Sequence, residues 1–177
     1  MTAERNHKYW MGVVPKNHVL NGIVGGFATV KFSHQKAEHS IGLTFWQTSL
    51  LWQRQMTEAL KPFDLTHMQF VLLASTAWLT QQHSEVTQVM LSKHAKTDIM
   101  MTSKVLRTLE QKILIKRLSH STDTRAKALQ ITTKGKNLVQ KTLPIVEAVD
   151  RNFFAKLGKE QNLFHHHLLK LSQQEEK

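Results

Sequence analysis

Ser103, Lys104 and Arg107 fall within five consecutive residues, and Arg125 and Lys127 follow a little further along the chain. A hydroxyl, ammonium groups and guanidinium groups at such spacings are hydrogen-bond donors and phosphate-neutralising charges, suited to base edges and a polyanionic backbone. They are not bond-making machinery. The chain has no nucleophile elbow, phosphate loop or His-Glu-x-x-His pattern, and its acids are too sparse for a paired-carboxylate site. It therefore reads as a non-enzyme without a cofactor. Cysteine is absent, which excludes a disulfide framework, a thiol switch and a Cys-type zinc site. His165, His166 and His167 point about 100° apart on a helix and cannot converge on one ion, so no metal is expected.

Two elements must position these groups. Residues 97–112 form a basic, helix-like segment. Directly after it come two strand-like runs, 114–118 and 128–131, joined by a short turn containing Asp123, Thr124, Arg125 and Lys127. A helix feeding a hairpin with a cationic tip implies a winged helix, with the helix in a DNA major groove and the tip in an adjacent minor groove. On the helix, Thr102, Val105, Leu106 and Leu109 share one apolar face. Met100, Met101, Ser103, Lys104 and Arg107 lie largely off it, and Met101, Ser103, Lys104 and Arg107 are the expected DNA-facing set.

Charge supports this. The chain of 177 residues carries 24 Lys and Arg against 13 acids, a formal +11. Residues 93–141 hold 12 of the cations and three of the acids, Asp98, Glu110 and Asp123. Clustering of that kind is the footprint of a polyanion partner. No apolar run reaches the length a bilayer needs and the N-terminus has no signal pattern, so a cytoplasmic protein with no membrane partner is expected.

The flanking segments follow from periodicity and capping. Ile41, Phe45, Trp52, Met56 and Leu60 give a first helix, stopped by Pro62. Thr66 and Gln69 form a capping box for the second, with Phe70, Leu73 and Ala77 buried. A short third helix begins near Thr87. Thr97 is the expected N-cap of the fourth, with Asp98 complementing its dipole. Beyond the hairpin, Thr132 or Thr133 caps a long helix carrying Leu138, Ile145, Val149, Phe153 and Leu157. Pro144 is a candidate kink and Gly158 marks the break before a last helix. The apolar surplus on these outer helices suggests a two-fold homodimer.

Taken together, Asp64 to Phe70, Thr97 to Glu110, the wing Asp123-Thr124-Arg125-Ala126-Lys127 and Ile131 to Gly135 resemble a MarR-type transcriptional regulator over residues 40–172. The resemblance implies a mainly α fold with a small β-hairpin wing. Its winged helix-turn-helix core spans about residues 64–132, between N- and C-terminal dimerisation helices over about 40–61 and 133–174. It implies a ligand-responsive repressor acting as a homodimer on a pseudo-palindromic site in double-stranded DNA. Ser103, Lys104 and Arg107 would face the major groove, Arg125 the minor groove, Asp123 would brace Arg125, and Lys127 would meet phosphate. Trp46, Trp52, Phe70 and Trp78 would line a cleft for a small aromatic or phenolic ligand. One departure stands out: the family has glycine before the first wing strand, where this chain has Ile113. If that site needs positive φ, the hairpin entry must differ.

Residues 1–39 hold four of the seven glycines and no sustained helical period, and read as an N-terminal appendage to a domain spanning 40–177. Within them, residues 8–36 resemble the opening of EVE-type, PUA-like domains. That resemblance implies an alternative, an RNA- or modified-nucleobase-binding module using the N-terminal segment.

Overall fold

The chain divides into residues 1–35 and 36–177. The computed structural model describes residues 36–120 and 126–173. The EVE-like resemblance, Asp123 and Arg125 thus lie outside the described residues.

Among the described residues the second unit holds six α-helices and a three-stranded sheet. Their order is α1 (Ile41–Leu60), α2 (His67–Leu79), β1 (Val86–Thr87), α3 (Gln88–Ala95), α4 (Ile99–Gln111), β2 (Ile115–Ser119), β3 (Lys127–Ile131), α5 (Thr133–Phe154) and α6 (Gln161–Ser172). Short 3-10 turns cover Lys61–Phe63 and Ala155–Glu160. This is the mainly helical, winged architecture expected, with one strand more. The two-residue β1 pairs antiparallel with β3, so the sheet order is β1-β3-β2. The hairpin register sets Ile115 opposite Ile131 and Ser119 opposite Lys127.

Side-chain caps fix where each helix starts. Ser40 accepts from the Leu43 amide, and Thr66 and Gln69 close the expected reciprocal box at 3.2 and 3.3 Å. Thr87 accepts from Met90 and Thr132 from Gly135. At α4 the cap is Asp98 rather than Thr97: the carboxylate accepts from the Met101 amide at 2.7 Å. A charged acceptor outcompetes a hydroxyl at the positive end of a helix dipole. Thr97 instead pairs its hydroxyl with that of buried Thr102, 2.8 Å away. The long helix ends at Phe154, so Leu157 falls in the 3-10 turn, and α5 runs through Pro144 as one helix.

Three helical segments end in the same closure. The amides of Leu65, Thr97 and Leu114 return to the carbonyls of Leu60, Ser92 and Leu109, five residues back. Each closure needs a left-handed residue, usually glycine. Here Asp64 (φ 53°), Lys96 (φ 52°) and Ile113 (φ 59°) occupy those sites. The altered hairpin entry expected from Ile113 is therefore not what the chain adopts. The left-handed turn is kept, and the isoleucine bears the strain with its side chain 63% exposed.

One apolar core joins the elements. It contains Met56 and Leu60 of α1, Phe70, Leu72 and Leu73 of α2, Leu91 of α3, and Leu106 and Leu109 of α4. Leu114, Ile115, Leu129 and Ile131 of the hairpin region, Val146 of α5, and Leu65, Leu79 and Val86 complete it. At the hairpin's base α5 approaches the chain so closely that a Cβ on Gly135 would sit 2.2 Å from the Leu114 carbonyl oxygen.

Two substitutions test these backbone constraints. Ile113→Gly should raise stability by about 1 kcal/mol, because relief of left-handed strain exceeds glycine's added chain entropy. Gly135→Ala should lower it by about 1–3 kcal/mol by overpacking against backbone. Chemical denaturation of both variants beside the wild type checks the opposite signs.

Candidate nucleic-acid interface

Helix α4 is anchored from behind and bare in front. Thr102, Leu106 and Leu109 are buried, and the Thr102 hydroxyl donates to the Asp98 carbonyl at 2.8 Å. Gln88, at the start of α3, donates to the Ile99 carbonyl at 3.1 Å and ties the two helices together where α4 begins. On the opposite face Lys104 and Arg107 are exposed, Ser103 is half-buried and Met101 lies on the flank, 46% exposed. Among the described residues neither the Lys104 ammonium nor the Arg107 guanidinium makes a hydrogen bond or ion pair. Met100 was not among the expected contacts. It projects from the same outer face, at the i, i+4, i+7 spacing with Lys104 and Arg107 that the sequence already contains.

The basic cluster divides into two populations. Lys112 bonds the Asp64 carbonyl and pairs with the Asp64 carboxylate at 2.9 Å, with Gln69 Oε1 at 3.3 Å. Lys134 donates to the Lys112 carbonyl at 2.9 Å. Lys96 donates to the Ser172 carbonyl at 3.3 Å. Arg117 of β2 lies 3.2 Å from the Glu110 carboxylate of α4, yet its buried Nε and Nη2 make no aligned hydrogen bond, so the contact is ionic. These cations brace the fold. Lys104, Arg107, Lys116, Lys127 and Lys136 remain exposed. Lys127 opens β3.

The four aromatics expected around a ligand cleft have different surroundings. Phe70 is core, and Trp46 and Trp78 are more than half exposed. Trp52 donates its indole N–H to Asp150 of α5 at 2.8 Å and meets the His67 ring edge-on, centroids 4.9 Å apart. None of the four lines the cavity that opens elsewhere in the domain. That space, about 620 Å³, lies between the end of α2, the sheet and the first turns of α5, against Ala77, Gln81, Leu118, Gln130, Lys136 and Gln140. Its lining comes from segments far apart in sequence, which left no local signal to read.

Comparison with known proteins completes the picture. A family described as the ArnR1-like winged-helix domain matches residues 61–149. The HTH-type transcriptional regulator YdcH of Bacillus subtilis (strain 168) is 44% identical over 123 residues, covering 70% of this chain and 84% of that protein. The S. aureus MepR–DNA complex superposes with a TM-score of 0.67 at 26% identity, over 77% of this chain and 96% of that one. A cysteine-to-serine mutant of E. coli MarR complexed with operator DNA shares the fold, with a TM-score of 0.66 at 24% identity over 73% and 91% of the two chains. The chain belongs to the MarR-type winged-helix transcriptional regulators. In this MarR-type chain α4 is the helix that directly precedes the β2–β3 hairpin. Among the described residues no helix is long and apolar enough to cross a membrane.

The Trp52–His67–Asp150 contacts join α1, α2 and α5, and they carry a pH signature. Burial lowers the His67 pKa below its ordinary 6.5, partly opposed by the Asp150 carboxylate. The unfolded chain therefore binds the proton more readily than the native one. This contribution to stability is whole above pH 6.5 and is lost as pH falls through that value toward the lowered native pKa. Melting temperatures of wild type and His67→Gln across this range should converge in slope at high pH, and the wild type alone should lose the extra increment on acidification.

Proposed function

We propose that this chain is a sequence-specific DNA-binding repressor that works in the cytoplasm as a homodimer on a pseudo-palindromic duplex and is released by a small ligand. The observation that carries the reading is the outer face of α4. Two unpartnered cations stand there on a helix whose other face is locked into the core, beside a hairpin with Lys127 at its outer end. Ser103, Lys104, Arg107 and Met101 meet the major groove, Arg125 enters the minor groove with Asp123 bracing it, and Lys127 meets phosphate. Relatives crystallised with DNA support this assignment.

The dimer is supported by apolar residues left open on the outer helices: Ile41, Phe45 and Trp46 of α1, and Leu163, Leu169 and Leu171 of α6. A second copy covers them, and two recognition helices then reach successive major grooves about 34–36 Å apart. Ligand control is supported by the cavity between α2, the sheet and α5, and by the aromatic Trp52 at the junction of α1, α2 and α5. An aromatic or phenolic molecule that binds one dimer geometry better shifts the spacing of the recognition helices away from the operator.

Selection from a random duplex library separates reading from holding. Arg107→Ala should cost about 1–3 kcal/mol on the selected duplex and relax base preference at one position in each half-site. Lys136→Ala should weaken all duplexes alike and lower the salt dependence. Unchanged base preference for Arg107→Ala and Lys104→Ala together would remove α4 from the recognition role.

A further inference from the structure

We infer that Met100 reads thymine: its side chain packs on the C5-methyl edges of T·A pairs in the major groove and sets a preference for thymine in each half-site. The inference rests on the DNA-binding reading of α4 and adds to it an apolar specificity contact.

Three consecutive large apolar residues, Ile99, Met100 and Met101, stand 43%, 80% and 46% exposed at the start of α4. A run of exposed apolar residues on a helix is unfavourable in water unless something covers it. Among the described residues nothing covers Met100. Leu106 and Leu109 supply the core contacts of α4, and Thr102 fills the buried position in its first turn. Met100 lies in line with Lys104 and Arg107, one and two turns on, so whatever meets those cations also meets the methionine. Two acids flank that face: Asp98 is engaged as the cap of α4 by the Met101 amide, and Glu110 lies 3.2 Å from Arg117 of β2. The face is thus cationic with an apolar leading edge at its N-terminal end, the end that a helix-turn-helix turns toward the bases.

That combination specifies the occupant. A duplex offers phosphate and guanine acceptors to the cations, and in the major groove only thymine presents a methyl group. A protein partner would have to bring carboxylates for Lys104 and Arg107. Duplex DNA already carries the charge on both sides of the methyl groups. Methionine suits the task because an unbranched, polarisable side chain adapts to methyl positions that vary with helix twist.

The test uses the full chain and the duplex it selects from a random library, prepared with thymine and again with deoxyuridine in the half-sites. Wild type should bind the uracil duplex about fourfold more weakly for each contacted methyl, the factor for burying one such group. Met100→Ala should bind the two duplexes equally, while Met100→Leu should keep the thymine preference. The variants alter only an exposed side chain, so folding is not at issue. Equal binding of both duplexes by wild type, with tight sequence-specific binding retained, overturns the methionine contact and leaves the DNA-binding reading intact. Full thymine preference in Met100→Ala overturns it as well, assigning the preference to duplex shape. Failure to enrich any duplex overturns the DNA-binding reading and this inference together.

Discussion

The Leu114 carbonyl is the point on which the rest of the structure depends. Its oxygen accepts from the Thr132 amide at 3.0 Å and the Thr132 hydroxyl at 3.1 Å, while that hydroxyl also reaches the Ile113 carbonyl at 2.8 Å and caps α5 through Gly135. Four elements converge there: the end of α4, the start of β2, the end of β3 and the start of α5. The carbonyl is already crowded by a helix backbone, and only a residue without a Cβ fits at position 135. The angle between α4 and the long helix α5 is therefore set by backbone atoms, which cannot repack as side chains can. Strain at Ile113 is stored in the same few residues.

Local chemistry was legible, and long-range geometry was not. Threonines at 66, 87 and 132 announce their helices because a hydroxyl ahead of an apolar period has few other uses. Asp98 displaced Thr97 because adjacent candidates compete and charge decides, a contest that propensity alone leaves open. The strand β1 escaped notice since two residues carry no period. Residues 93–141 look like one basic patch as a string, yet Lys96, Lys112, Arg117 and Lys134 are engaged by carbonyls and carboxylates of the chain itself. No sequence pattern distinguishes a cation that braces from one that binds. The distinction lies in what sits opposite it after folding.

The left-handed turns at Asp64, Lys96 and Ile113 share a pattern of their own. Each closes a helical segment on the way to the next element of the winged helix, and none uses glycine. Aspartate tolerates that conformation better than lysine or isoleucine does, since its short side chain bonds locally. Lys96 also places its ammonium on the last turn of α6, and Lys112, next to Ile113, places its own on Asp64. Side chains around two of these turns thus make bonds that recover part of the backbone cost.

Helix α5 is fastened at both ends: to the hairpin through Thr132 and Gly135, and to α1 through the bond from Trp52 to Asp150. Between these fastenings it has the geometry of a lever. Its 22 residues make a rod about 33 Å long, and a tilt of about 5° at one end carries the other by about 3 Å. Pro144 sits near the middle of this continuous rod and leaves the Gln140 carbonyl without its helical amide donor. Gln140 and Leu143 also border the cavity beneath the sheet. The wall of that space thus includes the one turn of α5 whose backbone ladder lacks a bond.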